Sequence, residues 1–205
     1  MTARLKLISL VLLCAAAGGG AALYWHSKPQ ITLATGSLLQ PSRALADFSL
    51  IDDHGRSFGP ANLRGHWSLM FFGYTNCPAF CPTTLITLAA VEKQLRAAKL
   101  TAPQVIFVSV DAKRDTPAQL AKFVPYFDPE FIGVTAADQP AIEQQAKKWG
   151  IAVAILPGGG DDYMVDHSGA IFVINPEGRI AAVLTGPFEV NPLQSDLTRI
   201  LNGRV

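Results

Sequence analysis

From residue 47 onward, short apolar runs alternate with longer amphipathic stretches. Leu69-Met70-Phe71-Phe72 and Val105-Ile106-Phe107-Val108 are unbroken apolar runs, the pattern of strands covered on both faces. Between them Leu85, Leu88, Val91 and Leu95 recur at helical spacing, with Glu92, Lys93, Arg96 and Lys99 on other faces. Thr116-Pro117-Ala118-Gln119 reads as a capped helix start, and Leu120, Phe123, Val124 and Phe127 give that second helix its buried face. Phe131-Ile132-Gly133-Val134 predicts a short strand, and Ile142, Ala146 and Trp149 a third helix. Asp52-Asp53-His54-Gly55 and Asn175-Pro176-Glu177-Gly178 are turn signals between apolar segments, so each predicts a hairpin. Leu193, Leu197, Ile200 and Leu201 predict a last helix. Between the third helix and the second hairpin lies Pro157-Gly158-Gly159-Gly160-Asp161-Asp162, expected to be irregular because three glycines carry a large ordering entropy. Strands alternating with helices, closed by a hairpin and a helix, predict a three-layer α/β domain over residues 47–205 with a central mixed sheet.

The first residues follow a different pattern. Residues 7–25 are apolar and free of charge, near the roughly 20 residues a membrane-spanning helix needs. Arg4 and Lys6 precede them, and Tyr24 and Trp25 sit where an interfacial aromatic belt would lie. The expected organisation is a cytoplasmic N-terminus (residues 1–6), a single transmembrane anchor (7–25) and a linker (26–46) that holds a short strand. The domain then lies on the extracytoplasmic side of the inner membrane. The rival reading is a cleavable signal peptide, because residues 15–22 are rich in small side chains. Cys14 follows Leu13, too large for a lipoprotein cleavage site, so it reads as an apolar residue of the span.

Composition narrows the function. The chain has 205 residues, 17 Lys and Arg against 16 Asp and Glu, and a net charge of +1 with no basic stripe. That balance argues against nucleic acid as a partner. Of three cysteines, Cys77 and Cys81 lie four apart where the strand ending at Phe72-Gly73 turns into the first helix. Positions i and i+4 share a helix face, so both sulfurs can point at one spot. Free N–H groups and the positive dipole end at a helix start favour thiolate over thiol. Such a pair can hold a soft metal or cycle with a disulfide, and the pattern alone leaves both open. His54 reads as a solvated turn residue and His66 as a surface residue before a strand.

Cysteines at a strand end and helix head are placed as in thioredoxin-like folds. The segment Phe71–Pro82, Val108-Ser109-Val110-Asp111 with Arg114-Asp115-Thr116, and Asp166-His167-Ser168 leading into residues 171–178 together resemble the Sco/SenC family. Those are thioredoxin-like copper proteins tied to assembly of the CuA centre of cytochrome c oxidase. The resemblance implies copper ligation by Cys77, Cys81 and His167, one copper ion per domain as Cu(I) or Cu(II). It also implies the CuA-bearing oxidase subunit, and another copper carrier, as partners. Soft thiolates suit copper(I), imidazole suits both oxidation states, and zinc would want a fourth ligand. Asp166 is a candidate to support His167 from its outer side.

Two residues depart from the family pattern: Asn76 stands where His is common, and Ala79 where Asp is common. Neither is an implied ligand, and both bear on local charge and partner choice. The competing class is an exported thiol–disulfide oxidoreductase with Cys77 and Cys81 as a redox-active disulfide. A peroxiredoxin is disfavoured because no Pro-x-x-x-Thr-x-x-Cys pattern precedes Cys77.

Overall fold

The structure, a computed structural model, describes residues 19, 32–159 and 162–203. The expected anchor at residues 7–25 lies outside the described residues except for Gly19. Among the described residues no helix is long and apolar enough to cross a membrane.

Ten strands form in chain order: β1 (Gly36–Ala44), β2 (Leu50–Asp52), β3 (Ser57–Phe58), β4 (Ser68–Gly73), β5 (Gln104–Ser109), β6 (Ile132–Thr135), β7 (Val153–Gly159), β8 (Asp162–His167), β9 (Ala170–Ile174) and β10 (Arg179–Thr185). Among the described residues of this domain they are joined by the α-helices α1 (Phe80–Ala97), α2 (Pro117–Phe123), α3 (Gln139–Trp149) and α4 (Val190–Leu201). Eight strands make one mixed sheet in the order β1-β10-β9-β4-β5-β6-β2-β3, and β7 with β8 form a separate two-stranded ribbon. β4, β5 and β6 run parallel, and β9 lies antiparallel to β4.

The apolar runs sit where the pattern puts them. Every residue of β4 is buried, and alternate side chains face opposite layers. Phe71 meets Phe80 of α1 and Phe107 of β5, and Phe107 meets Phe123 of α2. Phe72 points to the other face, against Trp149 of α3 and Phe172 of β9. Helix α4 packs on α1. The sheet is therefore sandwiched between helical layers, as expected of a three-layer α/β fold.

Three expectations are corrected. The linker at residues 26–46 contributes more than a short strand: nine residues form β1 and pair with β10 on the sheet edge. The structured unit accordingly begins at Thr32, ahead of residue 47. The second helix stops at Phe123 and continues as a 3₁₀ turn, Val124–Tyr126. Pro125, with no N–H and a ring that crowds the preceding turn, prevents α2 from running on to Phe127. Finally, the described part of the stretch expected to be irregular is strand: 157–159 end β7 and Asp162 begins β8, continuing a hairpin whose flanks pair Val153↔His167, Ala154↔Asp166, Ile155↔Val165 and Leu156↔Met164. Pro157, Gly158 and Gly159 fall at the end of β7, where the register shifts between Leu156 and Gly159.

Candidate metal centre

The sulfur side is built on the end of β4. The turn that follows is closed by the Cys77 N–H donating to the Tyr74 carbonyl at 3.3 Å. A Cβ on Gly73 would sit 2.8 Å from Cys81 Sγ and 2.8 Å from the Phe107 ring, so glycine is what lets the helix head approach the strand. Helix α1 starts at Phe80, which puts Cys77 in the turn and Cys81 in the first helical turn. Pro82 is tolerated there because its position has no helical N–H acceptor to lose. The Cys81 N–H donates to Cys77 Sγ at 3.4 Å. Both thiols are free; Cys77 is half-buried and Cys81 buried.

Burial reverses the expectation of a ready thiolate at Cys81. Loss of solvent pushes the Cys81 thiol well up, and the neighbouring Cys77 and Asp115 push in the same direction. Without metal Cys81 keeps its proton at neutral pH. The dipole of the helix head does not offset the lost hydration of a charge placed this deep.

The imidazole side comes from the ribbon. His167 ends β8, and its Nε2 lies 3.7 Å from Cys81 Sγ. Its Nδ1 faces the Ser168 carbonyl at 3.3 Å. A carbonyl only accepts, so Nδ1 carries the proton and Nε2 presents its lone pair to the sulfurs. Burial lowers the His167 pKa, with the Ser168 carbonyl and the Asp166 charge pulling the other way, which keeps the ring neutral. Tyr74 stands perpendicular to it at 5.8 Å between centroids, and Phe80 tilts against it at 6.3 Å. Gly169 makes room for this packing, since a Cβ there would lie 2.5 Å from the Phe80 ring. One donor atom each from Cys77, Cys81 and His167 lies within 4.8 Å of the others. The three residues singled out from sequence are thus brought together, although 86 positions separate Cys81 from His167.

This donor set fits a soft cation of low coordination number, with two sulfurs and a neutral imidazole nitrogen already converging. Asp166, the expected supporting carboxylate, is exposed and acts on His167 only through its charge. His54 is exposed beside Asp53, and His66 lies 3.1 Å from Gln104 Oε1. Asp52, Asp53 and His54 also cluster, but their carboxylates already accept from Arg56, the His54 N–H and the Gly133 N–H.

Two buried carboxylates, named from sequence only within the motif that carries the family resemblance and given no role there, hold the two sides together. Asp115 accepts from the Thr75 N–H at 2.8 Å, from Thr75 Oγ1 at 2.6 Å and from Ser109 Oγ at 2.6 Å, which pins the turn before Cys77 to the end of β5. Asp111 accepts from Tyr163 Oη at 2.7 Å and from Arg114 Nε at 2.5 Å. Arg114 also donates to the Tyr163 carbonyl at 3.0 Å and lies 3.7 Å from its ring centroid. That pairing ties the ribbon to the domain. The available signal was the charge cluster Asp111, Arg114, Asp115 after an apolar strand, where solvated charges are the ordinary reading. Beside the three donors opens a cleft of about 730 Å³ whose walls include Tyr74, Phe80, Met164 and Pro187.

Comparison with known proteins places this arrangement. The SCO1/SenC family model matches residues 37–202. A protein of Stutzerimonas stutzeri named for copper binding is 32% identical over 165 residues, 80% of this chain and 80% of its own length. The mitochondrial SCO2 homologue of Bos taurus is 39% identical over 146 residues, 70% of this chain and 54% of its own, so the chain spans about half of that relative. The crystal structure of Arabidopsis thaliana ScoI with copper bound matches with a TM-score of 0.73 and 29% identity, covering 83% of this chain and 99% of that one. The mixed sheet with its helix-head cysteines is therefore the thioredoxin-like fold expected, and the chain belongs to the SCO1/SenC family.

Proposed function

We propose that this chain is a membrane-tethered copper carrier that holds one copper ion per domain on Cys77, Cys81 and His167. It hands the ion to the CuA-bearing subunit of cytochrome c oxidase. The observation that carries the reading is the convergence of two sulfurs and a neutral imidazole within 4.8 Å at the edge of an open cleft. Both cysteines lose their protons on binding, so two thiolates and one imidazole bring a charge of −2. Copper(I) leaves the site at −1, and copper(II) leaves it neutral. In this reading residues 1–6 stay in the cytoplasm, 7–25 anchor the chain, and the domain acts on the extracytoplasmic side of the inner membrane. The oxidase subunit, and a second copper carrier that loads the site, would meet it there.

Anaerobic titration of the reduced full chain with copper(I), followed by metal analysis and absorption, tests this. The expected end point is one copper per chain, with alkylation of both cysteines blocked. Saturation at zero copper, or unchanged alkylation in loaded protein, would refute it.

A second reading is favoured by one observation: half-buried Cys77 stands beside fully buried Cys81. An accessible thiol next to a shielded partner suits attack on a client disulfide followed by internal resolution. Reduction of a client disulfide by the copper-free dithiol at a rate matching copper delivery would favour that role.

A further inference from the structure

Met164 has no place in the three-donor site, yet it opens onto the same cleft as Cys77 and His167. The described methionines are Met70, fully buried in β4, and Met164, 47% exposed. Strand alternation puts Tyr163, Val165 and His167 on the inner face of β8 and Met164 on the outer. Met164 therefore does not share His167's face of the strand. Its sulfur is nevertheless held toward the cleft wall: Tyr74 Oη donates to Met164 Sδ at 3.7 Å. Tyr74 is itself 1% exposed, and its ring also stands against His167. Tyr74 thus meets the imidazole with its ring and the thioether with its hydroxyl.

Resting on the copper reading above, we propose that Met164 is a docking thioether for copper(I) at the cleft mouth. It is occupied in passing as the ion moves between a partner and the Cys77–Cys81–His167 site. A thioether is a soft, uncharged donor that binds copper(I) and poorly competes with thiolate, which suits a waypoint and not a resting place. Its weak hydrogen bond from Tyr74 keeps the sulfur facing the cleft and yields readily to a metal. The exchange needs no electrons. Copper(I) exchanges a carrier ligand for Met164 Sδ, then Met164 Sδ for the two cysteine sulfurs and His167 Nε2. Each thiol gives its proton to solvent as its sulfur–copper bond forms, and Met164 ends as a free thioether. Unloading is the reverse. Copper(II), which prefers harder donors, is not helped by this residue.

The test compares the full chain with Met164→Leu and Met164→Ile, conservative changes at an exposed site. Each is loaded anaerobically from the coloured copper(I)–bicinchoninate complex and unloaded by excess free bicinchoninate. Loading and unloading should both slow by roughly three- to tenfold, a barrier change of order 1 kcal/mol, with the final affinity unchanged. In parallel, silver(I), a redox-inert stand-in for copper(I), is added to chain labelled with ¹³C at methionine methyls. The Met164 methyl should shift in the Cys77→Ser/Cys81→Ser variant, where the main site is disabled. Unchanged rates together with a still methyl overturn the docking role. An affinity loss in step with the rates would make Met164 a resident ligand and equally overturn it. Failure of the unmodified chain to take copper at all would instead strike the three-donor site.

Discussion

The sulfur half and the imidazole half of this site are held in different ways. Cys81 sits on the first turn of an 18-residue helix packed on a fully buried strand of the main sheet. His167 ends a two-stranded ribbon that lies outside that sheet, with Ile155, Leu156 and Met164 exposed along it. An isolated pair of strands is marginally stable on its own. The ribbon is kept in place by the contacts of Tyr163 with Asp111 and Arg114. In the proposed copper carrier, this difference would let one site combine retention with release. The Cys81 sulfur is fixed where burial demands a metal or a proton, and the imidazole rides on a ribbon outside the main sheet.

Removing each half of the site has the largest expected effect. Cys77→Ser or Cys81→Ser should cost at least about a thousandfold in copper(I) affinity, because thiolate is the soft donor. His167→Ala should cost less, at least roughly tenfold, and leave the sulfurs bound. Competition against a chelator of known affinity measures both. Equal losses in all three variants would mean that the halves are not distinct.

The protonation state of Cys81 sharpens it next. Its thiol is pushed up by burial, so the metal-free site holds a proton that copper must expel. Copper affinity should therefore rise with pH through the neutral range, by about tenfold per pH unit for each proton released. The neutral His167, whose pKa burial lowers, adds no such dependence above pH 7. A flat profile from pH 6 to 8 would contradict a protonated Cys81.

The ribbon's anchorage is the third lever. Tyr163→Phe removes the 2.7 Å hydrogen bond to the Asp111 carboxylate, a loss of about 1.5–3 kcal/mol for a charged partner. Amide exchange in β7 and β8 should speed up while β4 and β5 keep their protection, and copper should restore the slow rates. Uniform acceleration across the domain would show that the ribbon and the sheet open together.

Much of this was legible in the residues. Unbroken apolar runs marked β4 and β5 because only strands covered on both faces tolerate them, and Leu85, Leu88, Val91 and Leu95 marked α1 by period. The two cysteines were legible as a pair by their spacing, whereas the approach of His167 to them was legible only through family likeness, since no spacing rule joins His167 to a helix head. The ribbon escaped notice because three glycines and a proline in its distal part outweigh, in local composition, the apolar flanks that pair. The strand β1 escaped for a related reason: a polar edge strand reads as linker until its partner is known. Asp111 and Asp115 were visible as motif residues, but their roles depend on Thr75, Ser109 and Tyr163, whose hydroxyls reach them in the folded domain.

The smallest expected effect lies at the helix head. Ala79 is the N-cap of α1 and supplies no side-chain acceptor. Ala79→Asp should stabilise the domain by about 0.5–2 kcal/mol in denaturant unfolding, the usual worth of a cap. It should do so without changing exchange in the ribbon. Faster exchange there would link the halves more tightly than their packing suggests.

The central claim is that one copper is held jointly by the sheet-borne sulfurs and the ribbon-borne imidazole. Copper-edge X-ray absorption of the copper(I)-loaded full chain, alongside His167→Ala, tests it most directly. The account predicts two sulfurs and one nitrogen around copper in the unmodified chain, and loss of the nitrogen alone in the variant. Identical spectra from both, or a sulfur lost together with the nitrogen, would contradict it.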